Sequence, residues 1–401
     1  MAGPTLEQII EPNWKPETDS DWNALEYYTT QLFRPAAPIM EDGFFAGRLV
    51  QARSLLDVIY QPGGHAILYG ERGVGKTSLV NIINERIIAP AKYTHVLKVG
   101  CNVTDTFTSI WTNVFFNYSW QGKTVADIIK ETPQPFTVYK IAESLDQRTL
   151  VIIDEFDRVQ DSLTKTLIAD TIKYLSDNPA TRFTVVVVGV GKSIAELFGS
   201  HPSIQRCCEQ IPMPRMSAEE LQQIGNTRWQ QLRMHALPEV EARIIQYAQG
   251  LPGYVHLLGQ LATIAAINRR SQVIEMKDLR LAVADALKKA DESTRTAYYR
   301  AIQSTKPDNR YREVLLACAL APKNELGQFS ASAVCGPYSE IRDAEMGIEH
   351  FARHLDAFCD TARGPVLIKS GKRKGFMYQF ANPLLEPLVI MTGRHGPTGN
   401  V

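Results

Sequence analysis

Residues 70–77 read Gly70-Glu71-Arg72-Gly73-Val74-Gly75-Lys76-Thr77 and meet the pattern GxxxxGK[ST] at every fixed position. The residue types follow from what a phosphate chain demands. Glycines let the backbone wrap closely around phosphate with its N–H groups turned inward, and the helix that follows adds the positive end of its dipole. Lys76 is placed to reach the β- and γ-phosphates, and the Thr77 hydroxyl to sit on Mg2+. The cradle expected for the nucleotide is Gly70, Glu71, Arg72, Gly73, Val74, Gly75, Lys76, Thr77 and Ser78. The context agrees: the apolar run 65–69 (HAILY) precedes the loop, and 77–88 has helical spacing up to Pro90.

Working outward, 96–101, 150–153 and 184–188 are further strand expectations, the last two with almost no polar residue inside them. Such runs are buried on both faces, as in a parallel sheet. Leu163, Leu167, Ile168, Ile172 and Leu175 recur at helical spacing between them. Strands alternating with helices predict an open α/β sheet. In Leu150-Val151-Ile152-Ile153-Asp154-Glu155 the buried strand delivers Asp154 at its C-terminal end, where open sheets bind ligands. Asp154 would hold Mg2+ through water, and Glu155, the catalytic candidate, would orient and polarise the attacking water. Asp157 reads as a supporting or surface residue.

The remaining segments divide by pattern. Residues 1–40 read as an N-terminal extension with a helix near 22–33, 41–213 as the α/β core, and 214–295 as a helical lid opened by the capping-box pair Ser217 and Glu220. Residues 296–401 hold helices at 311–320 and 347–359 and two strands, 366–368 and 376–380, joined by the polar turn 371–375, which suggests a winged helix. The 401 residues are 44% hydrophobic and 21% charged, an ordinary globular composition. Lys plus Arg and Asp plus Glu each number 43, so the whole chain lacks a basic signature for nucleic acid. The local exception is Lys372, Arg373 and Lys374 in the wing turn, with Lys369 and Arg363 nearby. None of Cys101, Cys207, Cys208, Cys318, Cys335 and Cys359 forms a CxxC pair, which argues against a zinc ribbon or redox motif and for thiols in a reducing compartment. No secretory leader and no run of 18 apolar residues is read, so the expectation is a cytoplasmic protein without a membrane partner.

Together the phosphate loop, the Asp154-Glu155 pair and the helical lid resemble AAA+ ATPases. Phe45-Ala46-Gly47-Arg48 resembles the F-x-G-R entry motif of AAA+ and STAND ATPases, and Gly250-Leu251-Pro252 the G-x-P motif of the STAND lid. The resemblance covers about residues 41–290, most like ATPases related to the origin recognition complex and to transposition regulators. It implies an AAA+ P-loop NTPase sheet with a helical lid and a C-terminal winged-helix-like domain. It implies ATP and Mg2+ as ligands, with Phe45, Arg48 and Pro252 against the nucleotide. Gln205-Arg206-Cys207-Cys208 resembles the clamp-loader segment whose Arg projects into a neighbouring subunit; Arg206 is either that finger or a surface residue with local salt-bridge partners such as Glu209.

Two departures stand out. The strand 184–188 runs into Gly189-Val190-Gly191-Lys192-Ser193, so Lys192 or Ser193 would have to serve as the γ-phosphate sensor. Gly253 occupies the place of the expected lid arginine, with His256 the nearest polar residue. Thr305-Lys306-Pro307-Asp308 spells a guanine-recognition motif but follows no apolar strand. The implied activity is ATP hydrolysis, slow without a partner, that drives a conformational or assembly switch in a homo-oligomer. The alternatives are an ATP-gated protein that binds double-stranded DNA through its C-terminal domain, and a sensor with little turnover that engages a protein effector.

Overall fold

The computed structural model of the protein describes residues 3–35, 48–84, 94–120, 122–145, 147–191, 193–199, 202–306, 309–371 and 375–395. They form two compact units, one of residues 38–71 and 75–214, the other of residues 1–37, 72–74 and 215–401.

The first unit is built on five parallel strands, β1 (Ala66–Gly70), β2 (Thr94–Gly100), β3 (Arg148–Asp154), β4 (Phe183–Val190) and β5 (Glu209–Met213), in the order β2-β3-β4-β1-β5. The three inner strands are the apolar runs: Leu150 to Ile153 and Val185 to Val188 are at most 2% exposed, each side chain contributing about 1.5–3 kcal/mol by burial. The edge strands are mixed. β5 was not expected, because Glu209-Gln210-Ile211-Pro212-Met213 buries only Ile211 and Met213, and its proline is tolerable only on an edge.

Helix Ser162–Asp177 is capped by Asp161, which accepts from the Leu163 and Thr164 amides. It buries Ile168, Ile172 and Leu175 as expected, but Leu163 is exposed and Thr164 points inward, accepting from the Phe107 amide at 3.0 Å. Trp111 and Phe115 stack in the same core, and both meet the Phe183 ring at a tilt.

The second unit contains the helices Ala218–Gln231, Pro238–Ala248, Pro252–Asn268 and Met276–Lys289. A two-residue parallel bridge, His235–Ala236 with Val273–Ile274, adds strand where none was expected. Helices Leu6–Ile10 and Asp19–Leu32 pack on this bundle. Phe33 lies against Trp229 and His256, and the carbonyls ending helix Asp19–Leu32 are taken up by Arg228 Nε (Leu32, 3.1 Å) and Gln260 Nε2 (Phe33, 2.8 Å). Placing the buried Arg228 guanidinium at a helix C-terminus opposes its charge with the helix dipole. Arg233 donates to the Ile10 carbonyl and Arg270 to Asp19, above the Trp22 ring.

The C-terminal part is winged-helix-like. Helices Tyr311–Leu320, Ala331–Arg342 and Ala352–Cys359 accompany an antiparallel sheet of β6 (Phe329–Ser330), β7 (Leu367–Ser370) and β8 (Met377–Phe380), ordered β6-β8-β7. The helix expected at 347–359 divides into a 3-10 turn, Ile348–His350, and Ala352–Cys359. Glu386, fully buried in helix Leu385–His395, accepts from Arg215 Nη1 and Nη2, each at 2.8 Å, and lies 3.4 Å from Lys323 Nζ.

Candidate functional site

Parallel register brings the decisive residues to one edge of the sheet. Gly70 ends β1 beside Val190 of β4 and Met213 of β5, and Gly100 of β2 aligns with Asp154 of β3. The chain leaves Gly70, turns through Gly73 (φ 87°) and Gly75 (φ 96°), left-handed conformations suited to glycine, and enters helix Lys76–Ile83. Gly70 is pressed so close to β5 that a Cβ there would stand 2.4 Å from the Met213 carbonyl oxygen. Within the loop Glu71 and Val74 are buried, Arg72 and Gly73 exposed, and Ser78 half-buried.

Lys76 is 8% exposed, and its Nζ donates to the carbonyl oxygens of Gly70 (3.0 Å) and Glu71 (2.7 Å). Burial draws its ammonium down to about 8, against the charges of Asp157, Asp154 and Glu71. Asp154 is 5% exposed. Its Oδ1 accepts from Thr77 Oγ1 (3.2 Å) and from the Glu155 amide (2.9 Å), and its Oδ2 lies 3.2 Å from Lys98 Nζ. Lys98, on β2, also donates to Asn81 Oδ1 at 2.7 Å. Neither Lys98 nor Asn81 carries a sequence signal, since a lone lysine on an edge strand looks like a solvated side chain.

Glu155 adopts φ 55°, and its carboxylate accepts from Arg158 Nη1 at 2.9 Å. Asp157 Oδ1 accepts from the Val190 amide at 2.7 Å, tying the turn after β3 to the end of β4. Arg48 is buried and left-handed at the start of helix Leu49–Tyr60, and donates to the Pro214 carbonyl. Phe45, Lys192 and the wing residues Lys372, Arg373 and Lys374 lie outside the described residues. Ser193 precedes helix Ile194–Phe198 without capping it through its side chain.

Arg206 lies in the last turn of helix Pro202–Cys207 with its side chain 71% exposed, and its local acidic partner is Asp177 at 3.8 Å. Pro252, buried at the first turn of helix Pro252–Asn268, belongs to the other unit. So does His256, buried against Phe33 and accepting from the Arg34 amide through Nδ1. In the wing, Lys369 is paired with Asp356 at 2.8 Å over the Phe376 ring, and Arg363 lies over Tyr311.

The donor set fits Mg2+. Among the described residues no group of three or more His, Cys, Asp or Glu gathers as a metal cage. A hydroxyl and one carboxylate, Thr77 and Asp154, are the sparse hard-oxygen donors typical of Mg2+ held largely by water and substrate phosphates. Among the described residues, no helix is long and apolar enough to cross a membrane.

Residues 59–198 match the family model described as AAA domain. The matched segment holds the loop 70–78 and the Asp154-Glu155 pair, the same residues whose motifs carry the resemblance. No curated protein matches the sequence. Solved structures with a similar fold include Drosophila ORC bound to DNA, at 15% identity over 95% of this chain and 94% of that chain, TM-score 0.48. The Aeropyrum pernix ORC1 protein in complex with DNA is 15% identical over 90% and 95%, TM-score 0.49. Cdc6p from Pyrobaculum aerophilum is 13% identical over 90% and 98%, TM-score 0.49.

Proposed function

We propose that the protein is an ATP-driven switch: it binds ATP with Mg2+ at the loop 70–78, hydrolyses it slowly, and changes conformation or assembly with the nucleotide state. The observation that carries this reading is the convergence of Lys76, Thr77 and Asp154 on one sheet edge, with Glu155 adjacent. In this reading Lys76 leaves the loop carbonyls for phosphate oxygens, Thr77 and Asp154 hold Mg2+, and Glu155 orients water. Mg2+ supplies charge neutralisation on the phosphates when bound. Phe45, Arg48 and Pro252 are assigned to the nucleotide on family resemblance. Arg206, exposed and loosely paired, is assigned to the active site of a neighbouring copy. A ligand that favours one of two states shifts the equilibrium only by its differential affinity, so ATP and ADP must differ in what they stabilise.

A second reading, ATP-gated binding of double-stranded DNA, is favoured by the antiparallel pair β7 and β8 flanking a turn whose sequence is Lys372-Arg373-Lys374. A protein effector at the same domain is the third.

The test is ATP binding and hydrolysis by purified protein at several concentrations, with and without duplex DNA. Lys76→Ala is expected to abolish ATP binding; unchanged affinity in that variant sinks the switch reading. Stimulation by DNA promotes the second reading.

A further inference from the structure

We propose that Lys98 is the standing counter-ion of Asp154, and that a divalent metal reaches Asp154 only by displacing it, so that metal arrives with nucleotide rather than ahead of it. The inference rests on the reading of the loop as a Mg2+–nucleotide site.

Asp154 is 5% exposed, and a carboxylate that deep requires a partner of opposite charge. Among the described residues, Lys98 is the cation within ion-pair distance, at 3.2 Å from Oδ2. Lys76 is spent on the carbonyls of Gly70 and Glu71. Three groups therefore divide the carboxylate: Thr77 and the Glu155 amide hold Oδ1, and Lys98 holds Oδ2.

The ammonium is held in place by design of the neighbouring helix. Asn81 accepts from it at 2.7 Å, and Asn81 stands four residues after Thr77, on the same helical face. The arm can also let go. The Lys98 side chain is 34% exposed and β2 is an edge strand, so the ammonium can turn to water while its stem stays on the sheet.

A divalent ion at Thr77 and Asp154 meets this ammonium as a like charge. Nucleotide phosphates change the balance, because they bring negative charge that both cations share. Without metal, Lys98 also shields the incoming phosphates from Asp154.

The test uses Mn2+ and ADP as probes on the full chain, with free Mn2+ followed by electron paramagnetic resonance. In nucleotide-free protein, Lys98→Met is expected to bind Mn2+ about tenfold more tightly than wild type, since a charge within bonding reach shifts such equilibria by an order of magnitude. The gain should vanish in Asp154→Asn protein. Metal-free ADP, titrated in EDTA, should bind Lys98→Met about tenfold more weakly, and Lys98→Arg should match wild type in both titrations. Asn81→Ala, which loosens the ammonium without removing it, should tighten Mn2+ part of the way and serves if Lys98→Met melts early. Equal Mn2+ affinity in wild type, Lys98→Met and Asn81→Ala overturns the proposal. Wild-type protein that binds no ADP counts against the nucleotide site itself, and the Mn2+ comparison still decides the role of Lys98.

Discussion

Glu155 holds a backbone conformation, φ 55°, that costs a residue with a Cβ about 1 kcal/mol, and its carboxylate is engaged by Arg158 three residues on. Strain of this kind persists where the surroundings enforce it, here the bond from the Glu155 amide to Asp154 and the buried Phe156 that follows. Glu155→Gln is expected to keep ATP affinity and lower turnover by about 100-fold or more, read by nucleotide binding alongside a phosphate-release assay. The Arg158 pair is half exposed, so it is worth little. Arg158→Ala should therefore raise turnover by no more than about fivefold; a larger rise would make that ion pair a true brake. Lys76, Thr77 and Asp154 were legible in the sequence because phosphate chemistry fixes residue types at fixed spacings. Lys98 and Asn81 were not, because they meet Asp154 through sheet register and helix packing.

The elements tell the same story through close approach. Gly70 ends β1 where β5 passes, and a methyl there meets the Met213 carbonyl, a backbone atom that cannot swing aside. Gly70→Ala is expected to lower stability by about 1–3 kcal/mol in urea unfolding, separate from any effect on nucleotide. The Arg215–Glu386–Lys323 cluster makes a sharper case, since all three groups are buried and the carboxylate has no exposure. Glu386→Gln leaves two buried cations facing a neutral amide and should cost about 3–5 kcal/mol, seen as a lower urea midpoint. Strands β1, β3 and β4 were legible because a doubly covered strand admits almost no polar residue. The helices Phe107–Val114, Val125–Glu131 and Pro135–Glu143 were not named, being too short to show more than two turns of period. Strands β5 and β6 escaped because an alternating edge strand and a two-residue strand leave little pattern.

At the scale of the whole molecule, acidity and assembly are the readable variables. His65 is buried at the start of β1, its Nδ1 accepting from the Val185 amide, and burial pushes its ring down to about 4. The unfolded chain then takes up a proton below about 6.5 that the folded chain refuses. Stability is complete above that pH and is lost as pH falls toward 4, by about 2 kcal/mol at pH 5 for this ring. His256 is lowered in the same sense, by burial and then by the charge of Arg228. Urea midpoints at pH 7, 6 and 5 should decline in step, and less steeply in His65→Gln protein. For assembly, ATP turnover per chain should rise with protein concentration and lose that dependence in Arg206→Ala, with a rate lower by about 100-fold or more.

The clasp of arginines around the first two helices has a temporal meaning as well. Leu32, Ile10, Phe33 and Asp19 meet partners between 196 and 251 residues further along the chain, and residues 75–214 of the other unit are synthesised in the interval. A chain growing from its N-terminus can complete its P-loop sheet while Trp22, Leu25 and Phe33 still lack their cover. These two helices, made ahead of the P-loop sheet, find their cover only after it, and a chain halted before Arg228 would carry them as an exposed apolar flag for chaperone or protease.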